Sequence, residues 1–120
     1  MNFGDVVKVP FPYTDRAVRT RRPALVLVAG NLEAVHGLLW LVMITSAQNR
    51  GWADDVPVSN IALAGLPAPS VIRCAKVATI DARDAERIGL LYRGDQREVI
   101  RRLRILLSQL LPQPAARRKR

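Results

Sequence analysis

Two apolar runs rich in β-branched residues set the pattern of this chain. In Arg19–Val28, Arg-Thr-Arg-Arg-Pro leads into Ala-Leu-Val-Leu-Val, and in Leu38–Ser46, Leu-Leu-Trp-Leu-Val-Met-Ile closes on Thr45-Ser46. Neither alternates apolar with polar positions, which predicts strands covered on both faces in the middle of a sheet. Pro23 has no N–H to give a ladder, so it is expected to open the first strand rather than lie within it. A residue before proline is held extended, which fixes Arg22 at the lip of that strand. One strand thus presents Arg21 and Arg22 at its start, and the other presents Thr45 and Ser46 at its end. Where these ends meet, they make a cationic, hydroxyl-bearing site on a stiff platform.

The rest of the chain builds or surrounds that platform. Val6–Val9 is a short strand closed by Pro10-Phe11-Pro12, and Tyr13–Arg21 is a charged surface loop. Gly30–Gly37 is an exposed connection, and Ser46–Asp55 is a loop punctuated by Gly51. Val56–Val58 is a short edge strand, since Pro57 removes a donor, and Asn60–Leu66 holds one helical turn before the Pro67–Pro69 corner. In Ser70–Ile80, alternation places Val71, Arg73, Ala75, Val77 and Thr79 on one face, with Ile72, Cys74, Lys76, Ala78 and Ile80 on the other. A short helix is expected from Arg83 to Ile88, stopped by Gly89. Asp95 and Glu98 have capping-box spacing, and Val99, Leu103, Leu106, Leu107 and Leu110 recur at helical intervals, which predicts an amphipathic helix over 95–111. Pro112 and Pro114 end it, and 112–120 is read as a basic, disordered tail. Trp40 is expected in the core. The sum is a mainly β (α+β) domain over residues 1–111, a small barrel-like antiparallel sheet of five to seven strands carrying a C-terminal amphipathic helix.

Composition changes this picture in two ways. A single cysteine, Cys74, excludes an internal disulfide and a multi-cysteine metal site and fits a reducing cytoplasm, and no run has membrane-spanning length. Nineteen basic against ten acidic residues leave a net charge of +9, of which Arg117, Arg118, Lys119 and Arg120 supply four, so the body keeps 9 − 4 = 5. That surplus favours polyanionic partners, either nucleic acid or an acidic protein segment.

Several segments, in order, resemble the MazF/PemK toxins. They are Gly4–Asp15, Arg21-Arg22-Pro23-Ala24-Leu25-Val26-Leu27, Ile44-Thr45-Ser46, Ala64-Gly65-Leu66, Pro69–Arg73, Thr79-Ile80-Asp81 and Ile88-Gly89-Leu90. Each is weak alone, and the ordered set over residues 4–111 is specific. The resemblance implies a dimeric SH3-like barrel acting as a sequence-selective endoribonuclease without metal or cofactor, silenced by a cognate acidic antitoxin. It also implies a possible route to DNA through the toxin–antitoxin complex. Arg22 and Thr45 stand at the positions to which the family assigns catalysis. Ala75 stands where members usually carry an acidic residue, and Lys76 where many carry glutamine.

The chemistry also follows from residue types. RNA carries its own nucleophile, the 2′-hydroxyl, so the protein must chiefly stabilise charge on the phosphorane, which an arginine fork and a hydroxyl donor can do. Neither Arg22 nor Thr45 is a general base, and the base is left open. Arg16, Arg19, Arg21, Ser46, Gln48, Arg73 and Lys76 are the candidate RNA contacts, with Gln48 or Trp52 against bases. Trp52 has a dimer contact as its competing reading. His36 is read as an exposed bystander, and Asp54-Asp55 as solvated loop charge. Two other functions compete with RNA cleavage. One is poisoning of DNA gyrase, disfavoured because no aromatic follows Tyr92. The other is a catalytically weak RNA-binding or autoregulatory module, favoured by Ala75.

Overall fold

The computed structural model describes residues 1–10 and 20–112. Six strands, β1 (Asp5–Pro10), β2 (Arg21–Val28), β3 (Leu38–Ser46), β4 (Asp55–Pro57), β5 (Ser70–Asp81) and β6 (Glu86–Leu90), pair antiparallel in the order β4-β5-β3-β2-β1-β6. Among the described residues three helices accompany them: α1 (Gly30–His36), α2 (Ile61–Ala64) and α3 (Arg93–Leu107). The mainly β architecture with a C-terminal helix is the one predicted. No ladder joins β4 to β6 among the described residues, so the barrel is open.

Successive residues of the inner strands enter opposite clusters. Val6, Leu25, Val42 and Ile44 pack with Ile72, Leu91 and Val99. Val7, Ala24, Val26 and Leu41 pack with Leu39, Ala78 and Ile80 on the other side. This two-faced burial is what the unbroken apolar runs predicted, and each buried Val, Leu or Ile side chain contributes about 1.5–3 kcal/mol. α3 covers the first cluster through Val99, Leu103 and Leu106. The strands that carry Arg22 and Thr45 are therefore anchored in the best-packed part of the molecule.

Several local expectations are corrected. Pro23 is the third residue of β2 rather than its opening. Its missing N–H is tolerated because the β2–β3 ladder begins one residue later, at the Ala24–Met43 rung. The Gly30–Gly37 connection is exposed but helical, ending on Gly37 with φ of 67°. Trp40 is 47% exposed and, with Val28, Val77, Ile100 and Leu107, borders an apolar cleft of about 640 Å³ between sheet and α3.

Residues 86–90 form a strand, not a helix. They pair with β1, and Gly89 serves close approach instead of capping. A Cβ at Gly89 would lie 2.3 Å from the Ala64 carbonyl, and one at Gly65 would lie 2.1 Å from the Ile88 oxygen. α3 starts at Arg93, before the expected cap, and a 3-10 turn, Ser108–Leu110, extends it. Asp95 lies inside its first turn and accepts hydrogen bonds from Ser59 N (2.8 Å) and Ser59 Oγ, so it fastens the segment after β4 to the helix. Glu98 accepts from Arg101 and Arg102 rather than reaching back to the helix start.

β5 alternates only in its second half. Ala75, Val77 and Thr79 are exposed while Ala78 and Ile80 are buried, but Val71 to Cys74 are all buried. Val42 pairs with Val77 whereas its neighbour Met43 pairs with Arg73, so residues 74–76 bulge from the ladder.

Candidate functional site

Antiparallel pairing collects the strand ends predicted to matter. Val9 of β1 pairs with Arg22, and Ser46 of β3 pairs with Ser70 of β5. The β2–β3 ladder stops at Ala24–Met43, and continuing its register by two residues sets Arg22 opposite Thr45. Past that last rung a cleft of about 570 Å³ opens, with Lys8, Arg21, Arg22, Thr45, Ser46 and Asn49 on its polar side. Leu66 and the Pro67–Pro69 corner form part of its other wall. Among the described residues three cations and no carboxylate line it, so a polyanion is the complementary ligand.

The cations differ in what they are free to do. Arg21 donates from Nη2 to Lys8 O (3.1 Å) and Asp84 O (3.2 Å), with Glu86 at 3.9 Å, so it braces the β1–β2 corner. Arg22 is exposed and has no hydrogen-bond or ionic partner among the described residues, which leaves its planar fork open to a phosphate. Lys8 is exposed beside it. Sequence reasoning missed Lys8, although it is the one polar position between the valines of β1.

The hydroxyl side is ordered by the turn that follows β3. Residues Ala47–Asn49 form a single 3-10 turn, capped by Ser46 Oγ accepting from Gln48 N (3.2 Å). Asn49 Nδ2 donates to Thr45 Oγ1 at 3.1 Å. Gln48 is exposed on the turn and does not line the cleft.

Arg73 is placed differently from the expectation of a phosphate contact. Its side chain is 8% exposed, Nε and Nη2 bind the Asp55 carboxylate at 3.2 and 3.0 Å, and Nη2 also donates to Asn49 O at 2.6 Å. The Trp52 ring covers it, 4.2 Å from the guanidinium carbon, with Lys76 Nζ 5.9 Å from that ring. Arg73 therefore neutralises Asp55 inside the fold, and Lys76 lies outside the cleft. Asp54 and Asp55 are likewise not solvated charge: Asp54 faces Arg102 at 3.5 Å, and Asp55 is a structural counter-ion. Ala75 lines the apolar cleft beside α3, not the cationic one. Burial pushes the Cys74 thiol up to about 11, with Asp54 adding to the shift, so it is not a nucleophile. His36 is exposed at the end of α1. Arg16 and Arg19 lie outside the described residues, as do the loop around them and the basic tail. Among the described residues, no three His, Cys, Asp or Glu side chains cluster so as to hold a metal ion, and no helix is long and apolar enough to cross a membrane.

A fold of this shape with a cationic cleft at its strand ends defines a class, and the comparisons give it a family. The chain belongs to the PemK-like, MazF-like toxins of type II toxin–antitoxin systems, whose profile matches residues 2–107. A MazE–MazF complex from Deinococcus radiodurans superposes with a TM-score of 0.70 at 27% identity, covering 89% of this chain and 94% of that one. The Mycobacterium tuberculosis toxin MazF-mt6 shares the fold at a TM-score of 0.65 and 24% identity, covering 85% and 95%. A mycobacterial endoribonuclease in complex with its cognate antitoxin shares it at 0.70 and 15%, covering 93% and 97%. A search of curated protein sequences returned no match.

Proposed function

We propose that this chain is a sequence-selective endoribonuclease toxin that cleaves single-stranded RNA without a metal ion or cofactor. The observation that carries the reading is Arg22, without a partner among the described residues and set opposite Thr45 in a cleft whose described charged residues are all cations. In the reaction the RNA 2′-oxygen attacks the adjacent phosphorus as its proton passes to solvent water, and the bond to the 5′-oxygen breaks as that oxygen takes up a proton from water. The products are a 2′,3′-cyclic phosphate and a 5′-hydroxyl. Arg22 stabilises the charge that develops on the phosphorane oxygens, and Thr45 donates a hydrogen bond to the same group. Lys8 holds a flanking phosphate, as Arg16, Arg19 and Arg21 do in the sequence-based reading, while Ser46 at the cleft edge contacts a base. The partner that silences the toxin is an acidic antitoxin segment attracted by the +9 charge, and the working form is a homodimer in the cytoplasm.

A binding-only RNA module is the second reading. It is favoured by the absence of a carboxylate or histidine, either of which serves as a general base, from the described cleft lining. Incubating the purified chain with a long unstructured RNA and mapping the product ends separates the two. Cyclic phosphate ends support cleavage, and intact RNA retained on the protein supports binding alone.

A further inference from the structure

Thr45 does not stand in the cleft unassisted. Its Oγ1 accepts a hydrogen bond from Asn49 Nδ2 at 3.1 Å, so one lone pair is occupied and the hydroxyl proton is turned away from Asn49. Thr45 and Asn49 both border the cleft, the side on which that proton has room to point. Asn49 is exposed and sits on a three-residue turn, which by itself is a poor support for a precise contact. The turn is nevertheless held from below. Arg73 Nη2 donates to Asn49 O at 2.6 Å, and Arg73 is in turn fixed by Asp55, its cross-strand neighbour in the β4–β5 ladder. Ala47 N donates to Pro69 O at 3.0 Å, which ties the other end of the turn to the cleft wall.

We infer that Asn49 is a positioning residue for Thr45, and that Arg73, buried against Asp55, is the anchor that lets it act. This inference rests on the proposed cleavage reaction. The relay Asp55–Arg73–Asn49–Thr45 keeps the Thr45 hydroxyl a donor towards the phosphate instead of letting it rotate. It gives the buried Arg73 a part in the reaction that needs no contact with RNA.

The test is a double-mutant cycle on the cleavage rate. Asn49→Ala should lower kcat about tenfold with KM little changed, the effect of losing one orienting hydrogen bond. Asn49→Asp, which replaces the donor with an acceptor, should lower kcat at least as far despite its matching size. Thr45→Val removes the hydroxyl, and in that background neither Asn49 substitution should lower kcat further. Arg73→Lys, which keeps the charge facing Asp55, should also lower kcat in the wild-type background and not in Thr45→Val. Thermal melts of each variant confirm the fold. Loss of kcat that persists in the Thr45→Val background, or full activity of Asn49→Asp, overturns the relay while leaving Arg22-dependent cleavage intact. A folded wild-type chain that cleaves no RNA overturns the cleavage reading and this inference with it.

Discussion

Arg73 and Asp55 face one another across the β4–β5 ladder, with two contacts of 3.2 and 3.0 Å and side chains only 8% and 9% exposed. Breaking a buried pair leaves one charge without compensation, at a cost of about 3–5 kcal/mol. Asp55→Ala should accordingly lower the urea midpoint sharply. It should also weaken cleavage through the turn that Arg73 supports. A variant as stable as the parent would show that the pair is not structural.

Backbone contact between α2 and β6 sets a second expectation. Gly65, at φ of 72°, and Gly89 leave no room for a methyl group. Gly89→Ala should destabilise by roughly 2 kcal/mol or more, because the neighbouring atoms are backbone and cannot rotate away. Chemical denaturation reads this directly, and an unchanged midpoint would contradict the packing.

Acid titration should show the exposed Glu98 cluster. Hydrogen bonds from Arg101 and then Arg102 hold the Glu98 carboxyl down from its ordinary 4.5 to about 2. A lowered native pKa means stability that is present above pH 4.5 and lost as pH falls from there towards 2. The loss is modest because the group is exposed to solvent. Glu98→Gln should flatten that part of the pH–stability curve, and a curve of unchanged slope would count against the cluster.

Cys74 titrates at the other end. Raised from 9.0 to about 11, chiefly by burial, its thiol leaves about a hundredfold less thiolate at pH 8 than a free cysteine does. Alkylation of the native chain should be slow and should jump on addition of denaturant. The raised pKa also contributes stability that is present below pH 9 and is lost as pH rises towards 11. Rapid labelling of the folded chain at pH 8 would contradict the buried environment.

The strands and the meeting of their ends were legible in the sequence because they depend on local pattern. Unbroken apolar runs mark two-faced burial, and Arg22-Pro23 and Thr45-Ser46 sit where such runs start and stop. What was not legible depends on partners distant in the chain. Arg73 reads as an exposed cation until β4 brings Asp55 beside it, and a three-residue bulge in β5 breaks the alternation that placed it. Asp95 looks like a cap until Ser59 occupies its carboxylate. Gly89 looks like a helix stop until α2 lies against it. Lys8 enters the cleft only through its position on β1, beside Arg22's partner Val9.

The central claim is that Arg22 supplies the charge for cleavage of RNA by its own 2′-hydroxyl. The most direct measurement compares wild type and Arg22→Ala on one long RNA, with and without EDTA, with product ends mapped and folding checked by circular dichroism. Wild type should cleave equally well in EDTA and leave a 2′,3′-cyclic phosphate and a 5′-hydroxyl. Arg22→Ala should stay folded and lose on the order of a hundredfold or more in rate. Undiminished cleavage by folded Arg22→Ala, or abolition of wild-type cleavage by EDTA, would contradict the account.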